Sequence, residues 1–197
     1  MKIIQVKCPK CNQPLYSKQS DVLFFCERCE TIHTRESGTP KILDFEIGAF
    51  TQQYPGGIPY YMPFWRLYSY VRILSEQVHH SIVSRLQSAF SNEQKEGAIF
   101  IYVPAIDMDT ETFKHWCTVM TFNPPRYTTT LKFNNITRLP CTLMEKEAEK
   151  LADFVILTHE AEKPGILQYI NYDVEIKNSK LIYLPFYMVN NQWAPGF

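Results

Sequence analysis

Four cysteines in two matched pairs carry the strongest chemical signal in the chain. Cys8-Pro9-Lys10-Cys11 and Cys26-Glu27-Arg28-Cys29 are separated by fourteen residues. Two residues between cysteines let a tight knuckle turn both sulfurs toward one ion. A dozen or more residues between knuckles let a hairpin carry the second pair opposite the first. Four thiolates around one divalent cation close a tetrahedron and leave no position for a substrate, so the expected role is structural. Zn²⁺ is the expected ion. Iron would accept the same four sulfurs, but nothing around the knuckles points to a redox partner.

The surrounding residues extend this pattern. Val6 enters the first knuckle, a polar segment follows, and Val22-Leu23-Phe24-Phe25 runs into the second, which Thr31-Ile32-His33 leaves. Over residues 6–33 this resembles the zinc ribbons of transcription factor B-type proteins and the related rubredoxin-like ribbons. The resemblance implies a fold and a metal held by Cys8, Cys11, Cys26 and Cys29, and no activity. It departs from the usual pattern after Cys29. Glycine is common there because a positive φ is favoured, and this chain has Glu30. Asn12, after Cys11, tolerates that conformation well.

The remaining candidates have plainer explanations. Asp107, Asp109 and Glu111 begin like a calcium loop, but Thr112 stands where such a loop needs glycine, so they read as first-turn acids of a helix. His79, His80, His115 and His159 are scattered and pair with no evident nucleophile. Cys117 lies on an apolar helix face beside Trp116 and reads as core. No phosphate loop, nucleophile elbow or dinucleotide fingerprint is present, so the expectation is a protein without catalytic residues. An enzyme whose site is assembled from distant residues is kept as an alternative.

Charge weighs against nucleic acid. The 197-residue chain has 20 Lys+Arg against 20 Asp+Glu. Residues 1–35 hold six cations and three anions, +3 before metal binding; four thiolates with Zn²⁺ add −2, leaving about +1. Phosphate affinity needs several neutralising contacts. A protein partner is therefore the first expectation and a nucleic-acid-binding, transcription-related role the alternative.

Positioning these residues calls for an α+β chain in three parts. Residues 1–35 form the ribbon, 36–57 a linker with a possible strand at Ile42–Ile47, and 58–197 an α+β domain with a mixed or antiparallel sheet. That domain is expected to hold a strand from Tyr60 to about Leu74, a helix through Val78, Ile82, Leu86 and Phe90, and a strand from Ala98 to Ile106. Next come a helix capped by Asp107 or Asp109, a strand from Tyr127 to Phe133, and a third helix opened by a Thr142/Glu145 capping box. A C-terminal hairpin turning at Lys177–Lys180 completes it. Rings at both even and odd positions of Tyr60–Tyr70 imply one core face and one face that is either covered or offered to a partner. Tyr-aliphatic-Pro recurs at Tyr61–Pro63, Tyr102–Pro104 and Tyr183–Pro185. Proline gives up a ladder hydrogen bond, so each copy needs an edge or a bulge. Met1–Lys7 is charged again before any apolar run develops, and no uncharged stretch approaches the length of a spanning helix. With paired thiols rather than a disulfide framework, the expected location is the reducing cytoplasm.

Overall fold

The computed structural model describes residues 6–15, 20–34, 40–76, 96–161 and 170–197. Strands β1 (Phe24–Cys26), β2 (Thr31–Thr34) and β3 (Lys41–Leu43) form a three-stranded antiparallel sheet next to the first knuckle. A second sheet of seven strands runs β6-β5-β9-β4-β7, with β10 beside β9 and β8 beside β5. Its members are β4 (Phe45–Gly48), β5 (Ile58–Glu76), β6 (Glu96–Pro104), β7 (Thr129–Thr130), β8 (Thr137–Arg138), β9 (Ile170–Val189) and β10 (Gln192–Pro195). It is mixed, because β4 runs parallel to β9 and β8 parallel to β5. Helices α1 (Thr110–Phe122) and α2 (Glu145–Ala161) pack against it.

The described residues hold two helices where the sequence implies three; the helix expected through Val78–Phe90 lies outside them. A strand is expected within the linker at Ile42–Ile47. Ile42–Ile47 is two strands split at Asp44, β3 pairing with β2 and β4 with β9. The expected Tyr127–Phe133 strand contracts to Thr129–Thr130, which pair only with Ile47 and Gly48.

The C-terminal hairpin is real, but its turn is elsewhere. Lys177–Lys180 lies inside β9, a continuous 20-residue strand. Tyr68 faces Asn178 and Ser69 faces Ile176, so Lys177 is the extra residue of a bulge. The chain actually reverses at Asn190-Asn191, with φ of 49° and 60°, the positive pair a two-residue hairpin requires. The helix cap moves for a similar reason. The amide of Thr142 donates to the Ala105 carbonyl at 2.7 Å, so Thr142 is held by the sheet. Glu147 Oε2 instead accepts from the Met144 amide at 2.8 Å, half of a capping box two residues downstream. Asp109 caps α1 as one of the two expected residues, its Oδ1 accepting from the Thr112 amide at 2.9 Å.

Strand β5 is the spine. From Tyr61 to Trp65 both faces are buried: Tyr61 and Trp65 join the core that includes Ala148, Ala152 and Val155 of α2, while Met62 and Phe64 pack with Trp116 and Met120 of α1. Trp65 is 1% exposed, and its indole N–H donates to the Leu143 carbonyl at 2.9 Å. From Leu67 to Leu74 burial alternates, odd positions buried and even ones at least partly exposed. The two Tyr-aliphatic-Pro segments of β5 and β9 pair with each other, Tyr61 opposite Pro185 and Pro63 opposite Tyr183. Both prolines escape the ladder penalty in the same way. The Pro63 carbonyl accepts from the Ala105 amide, and the Ala105 carbonyl takes the Thr142 amide rather than needing a donor from Pro63. The Pro185 carbonyl accepts from Gly196, whose own carbonyl takes Thr51 at 2.8 Å. Each proline thus faces a carbonyl that is already satisfied.

Candidate metal centre

The first knuckle closes through short backbone bonds. The Asn12 amide donates to the Cys8 carbonyl at 2.8 Å and the Cys8 amide to the Gln13 carbonyl at 2.8 Å. Asn12 then turns the chain at φ 58°. In the second knuckle Glu30 holds the equivalent position at φ 52°, so the turn forms in spite of its side chain. The matched positive φ after Cys11 and Cys29 gives the two knuckles one geometry.

These turns bring Cys8, Cys11, Cys26 and Cys29 together, with all four sulfurs within 4.8 Å of one another. Four separations are 3.5 Å (Cys8–Cys29), 3.5 Å (Cys11–Cys26), 3.6 Å (Cys11–Cys29) and 3.3 Å (Cys26–Cys29). Sulfurs about 2.3 Å from a central ion would stand about 3.8 Å apart at the edges of a tetrahedron. The four residues fit a metal ion. None of the six cysteines is disulfide-bonded, and Cys8 and Cys26 are buried.

The electrostatics agree. Burial would raise the Cys8 thiol, but the backbone N–H groups of Cys11 and Lys10 and the Cys29 and Cys11 thiols outweigh it, lowering it to about 6. At Cys29 the Thr31 hydroxyl pulls down, yet burial and the Cys26 and Cys8 sulfurs win, and the thiol is raised. Four sulfurs this close cannot all be anionic without a cation among them.

Four residues not marked by the sequence bear on this unit, His33 and Thr31 at the sulfurs and Asp21 and Arg138 where it joins the larger sheet. His33 is fully buried; its Nε2 lies 3.5 Å from Cys8 Sγ and 2.9 Å from Thr31 Oγ1, and that hydroxyl is 3.2 Å from Cys29 Sγ. The alternation Cys29-x-Thr31-x-His33 was the available signal, since alternate strand residues share a side. Asp21 and Arg138 tie the cysteine-bearing segment to the larger sheet. Arg138 Nη2 is 2.7 Å from Asp21 Oδ2, and Arg138 Nη1 donates to Tyr183 Oη at 2.9 Å. Asp21 Oδ1 accepts from the Leu23 and Cys141 amides at 3.1 and 3.2 Å. Leu23 and Ile32 continue into the core of the larger sheet, so the two sheets share one apolar interior.

The other sequence candidates stay apart. Burial pushes Cys117 far above a normal thiol and Cys141 up to about 12, so neither is a ready nucleophile. His115 is exposed and stacks edge-on against Trp116. His79, His80 and the His159 side chain lie outside the described residues. Beside the second knuckle a cleft of about 1090 Å³ is lined by Arg28, Lys132 and Arg138 but also by Glu27 and Glu30, a field of mixed sign. Among the described residues no helix is long and apolar enough to cross a membrane.

Comparison with protein-family models, with curated proteins and with solved structures finds no match to this chain.

Proposed function

We propose that the four thiolates hold one structural Zn²⁺ in a zinc ribbon, and that the protein acts as a non-catalytic interaction or assembly protein in a reducing, cytoplasmic setting. The closed set of four sulfurs carries the first half: it leaves no vertex for a substrate and packs in a small apolar cluster of its own with Leu15. When bound, the ion supplies cross-linking and charge compensation. Backbone donors of Lys10 and Cys11 stabilise the Cys8 thiolate in the meantime.

The open half of the β5 face supports the second half. Tyr68 and Phe100 are 42% and 41% exposed, their rings 5.3 Å apart, with Leu74 exposed further along. Adjacent exposed rings on a strand pair make a rigid apolar surface of the kind that anchors partners. Trp65, earlier on the same strand, is core and offers nothing to a partner.

Metal analysis of protein prepared without chelator tests the first half, with about one Zn²⁺ per chain expected and none refuting it. Cys26→Ser should loosen the two knuckles and spare the core around Trp65. For the second half, Tyr68→Ala/Phe100→Ala should abolish co-purification of the partners seen with wild type at unchanged thermal stability. Unchanged co-purification would remove this surface from the reading. The mixed charges beside the knuckle make nucleic-acid binding weak and salt-sensitive in this reading, and sub-micromolar binding at physiological salt would overturn that ranking.

A further inference from the structure

We propose that His33, acting with Thr31, is a positioning residue that donates hydrogen bonds into the thiolate cluster and so fixes Cys8 and Cys29 for metal binding. This rests on the reading of the cluster as a metal site.

The argument begins with an oddity of burial. His33 is 0% exposed, and its Nδ1 has no hydrogen-bond partner among the described residues. A buried N–H without an acceptor is costly and rarer than a bare acceptor. The ring proton therefore belongs on Nε2, the nitrogen facing the cluster. From there it is shared between Cys8 Sγ at 3.5 Å and Thr31 Oγ1 at 2.9 Å. With its oxygen accepting that proton, the Thr31 hydroxyl is free to donate to Cys29 Sγ at 3.2 Å. Both protons of the relay point at sulfur, the polarity that thiolates need.

Strand geometry explains how β2 achieves this. Thr31 and His33 alternate with Ile32, so the two polar side chains turn to the cysteines while Ile32 enters the apolar core. His33 does not read as a ligand. Its nitrogens are not among the atoms that all lie within 4.8 Å of one another, and four thiolates already complete a tetrahedron. Core filling is no better an account, since a leucine would fill the space without an orphaned nitrogen. A tetrathiolate with a divalent ion retains two negative charges, and donors placed around the sulfurs spread that charge.

The test uses the full chain as wild type, His33→Leu, His33→Gln and Thr31→Val. Zn²⁺ affinity is read by chelator competition, and Co²⁺ in place of Zn²⁺ reports the sulfur-to-metal charge-transfer absorption. His33→Leu should weaken Zn²⁺ binding by about 10–100-fold and shift the Co²⁺ band, the usual effect of losing such an outer partner. Thr31→Val should move both in the same direction by less. His33→Gln, whose amide can still donate, should recover most of the loss. Wild-type affinity with unshifted bands in both His33→Leu and Thr31→Val overturns the proposal while leaving the metal site standing. Should His33→Leu fail to fold, Thr31→Val decides alone, because it leaves the ring in place. A wild-type chain that takes up neither metal refutes the metal reading itself, a distinct result.

Discussion

Replacing Asp21 by alanine tests how the cysteine-bearing segment is joined to the larger sheet. The Asp21 side chain is fully buried and that of Arg138 is 9% exposed, with 2.7 Å between the charged atoms. Arg138 also lies over the Phe25 and Tyr183 rings, at 5.4 and 5.6 Å to their centroids. Asp21→Ala removes the counter-charge from this buried guanidinium, whose Nη1 still donates to Tyr183, and takes the acceptor from the Leu23 and Cys141 amides. Breaking one side of a buried pair costs about 3–5 kcal/mol, because the survivor stays desolvated without its counter-charge. The two amides lie within that range rather than beyond it, since the Val22 amide still reaches the Cys141 carbonyl at 2.7 Å and keeps the segments together. In a chain of this length the loss corresponds to a melting temperature lowered by roughly 6–20 °C. Denaturant unfolding of Asp21→Ala, Arg138→Met and the double variant gives the coupling directly. The double variant should cost clearly less than the sum of the singles, because neither charge is then left alone. A loss below about 1 kcal/mol for Asp21→Ala, or singles that simply add, would refute the reasoning.

Three further expectations follow from single residues. Trp65→Ala removes a fully packed ring and its indole hydrogen bond to the Leu143 carbonyl, which keeps the weaker Cys141 thiol donor, so denaturation should show a loss of ~3–5 kcal/mol; a change below about 1 kcal/mol would contradict its core assignment. Glu30→Asn relieves a positive φ at the cost of a 3.8 Å exposed pair with Lys132, and thermal unfolding of the metal-loaded chain should show a gain of about 0.5–1 kcal/mol. At Glu46 burial would raise the carboxyl, but Lys180, Tyr127 and Arg66 outweigh it and hold it below the usual carboxylate range. Its contribution is therefore fully present above the unfolded value near 4.3 and is lost as pH falls through the depressed one. The stability difference between wild type and Glu46→Gln should be flat above about pH 5 and shrink below it; a difference constant down to pH 2 would exclude the linkage.

Sequence alone determined the features in which cause and effect lie within a few residues. The two Cys-x-x-Cys turns, the positive φ at Asn12, a cap at Asp107 or Asp109 and the long aromatic strand all follow from local sterics, hydrogen-bonding reach and periodicity. Tertiary structure decided whatever depends on a partner far along the chain. Lys177–Lys180 has the composition of a turn, but it lies in a strand because β5 offers a continuous row of backbone partners, with a bulge absorbing the extra residue. Thr142 loses its capping role to the Ala105 carbonyl, and Ile42–Ile47 is divided because β2 and β9 each claim part of it. Asp21 meets Arg138, and His33 turns its Nε2 to Cys8, only once the strands are paired. Local propensities differ by about 1 kcal/mol or less, whereas satisfying a buried donor, charge or ladder is worth more, so long-range pairing prevails wherever the two compete.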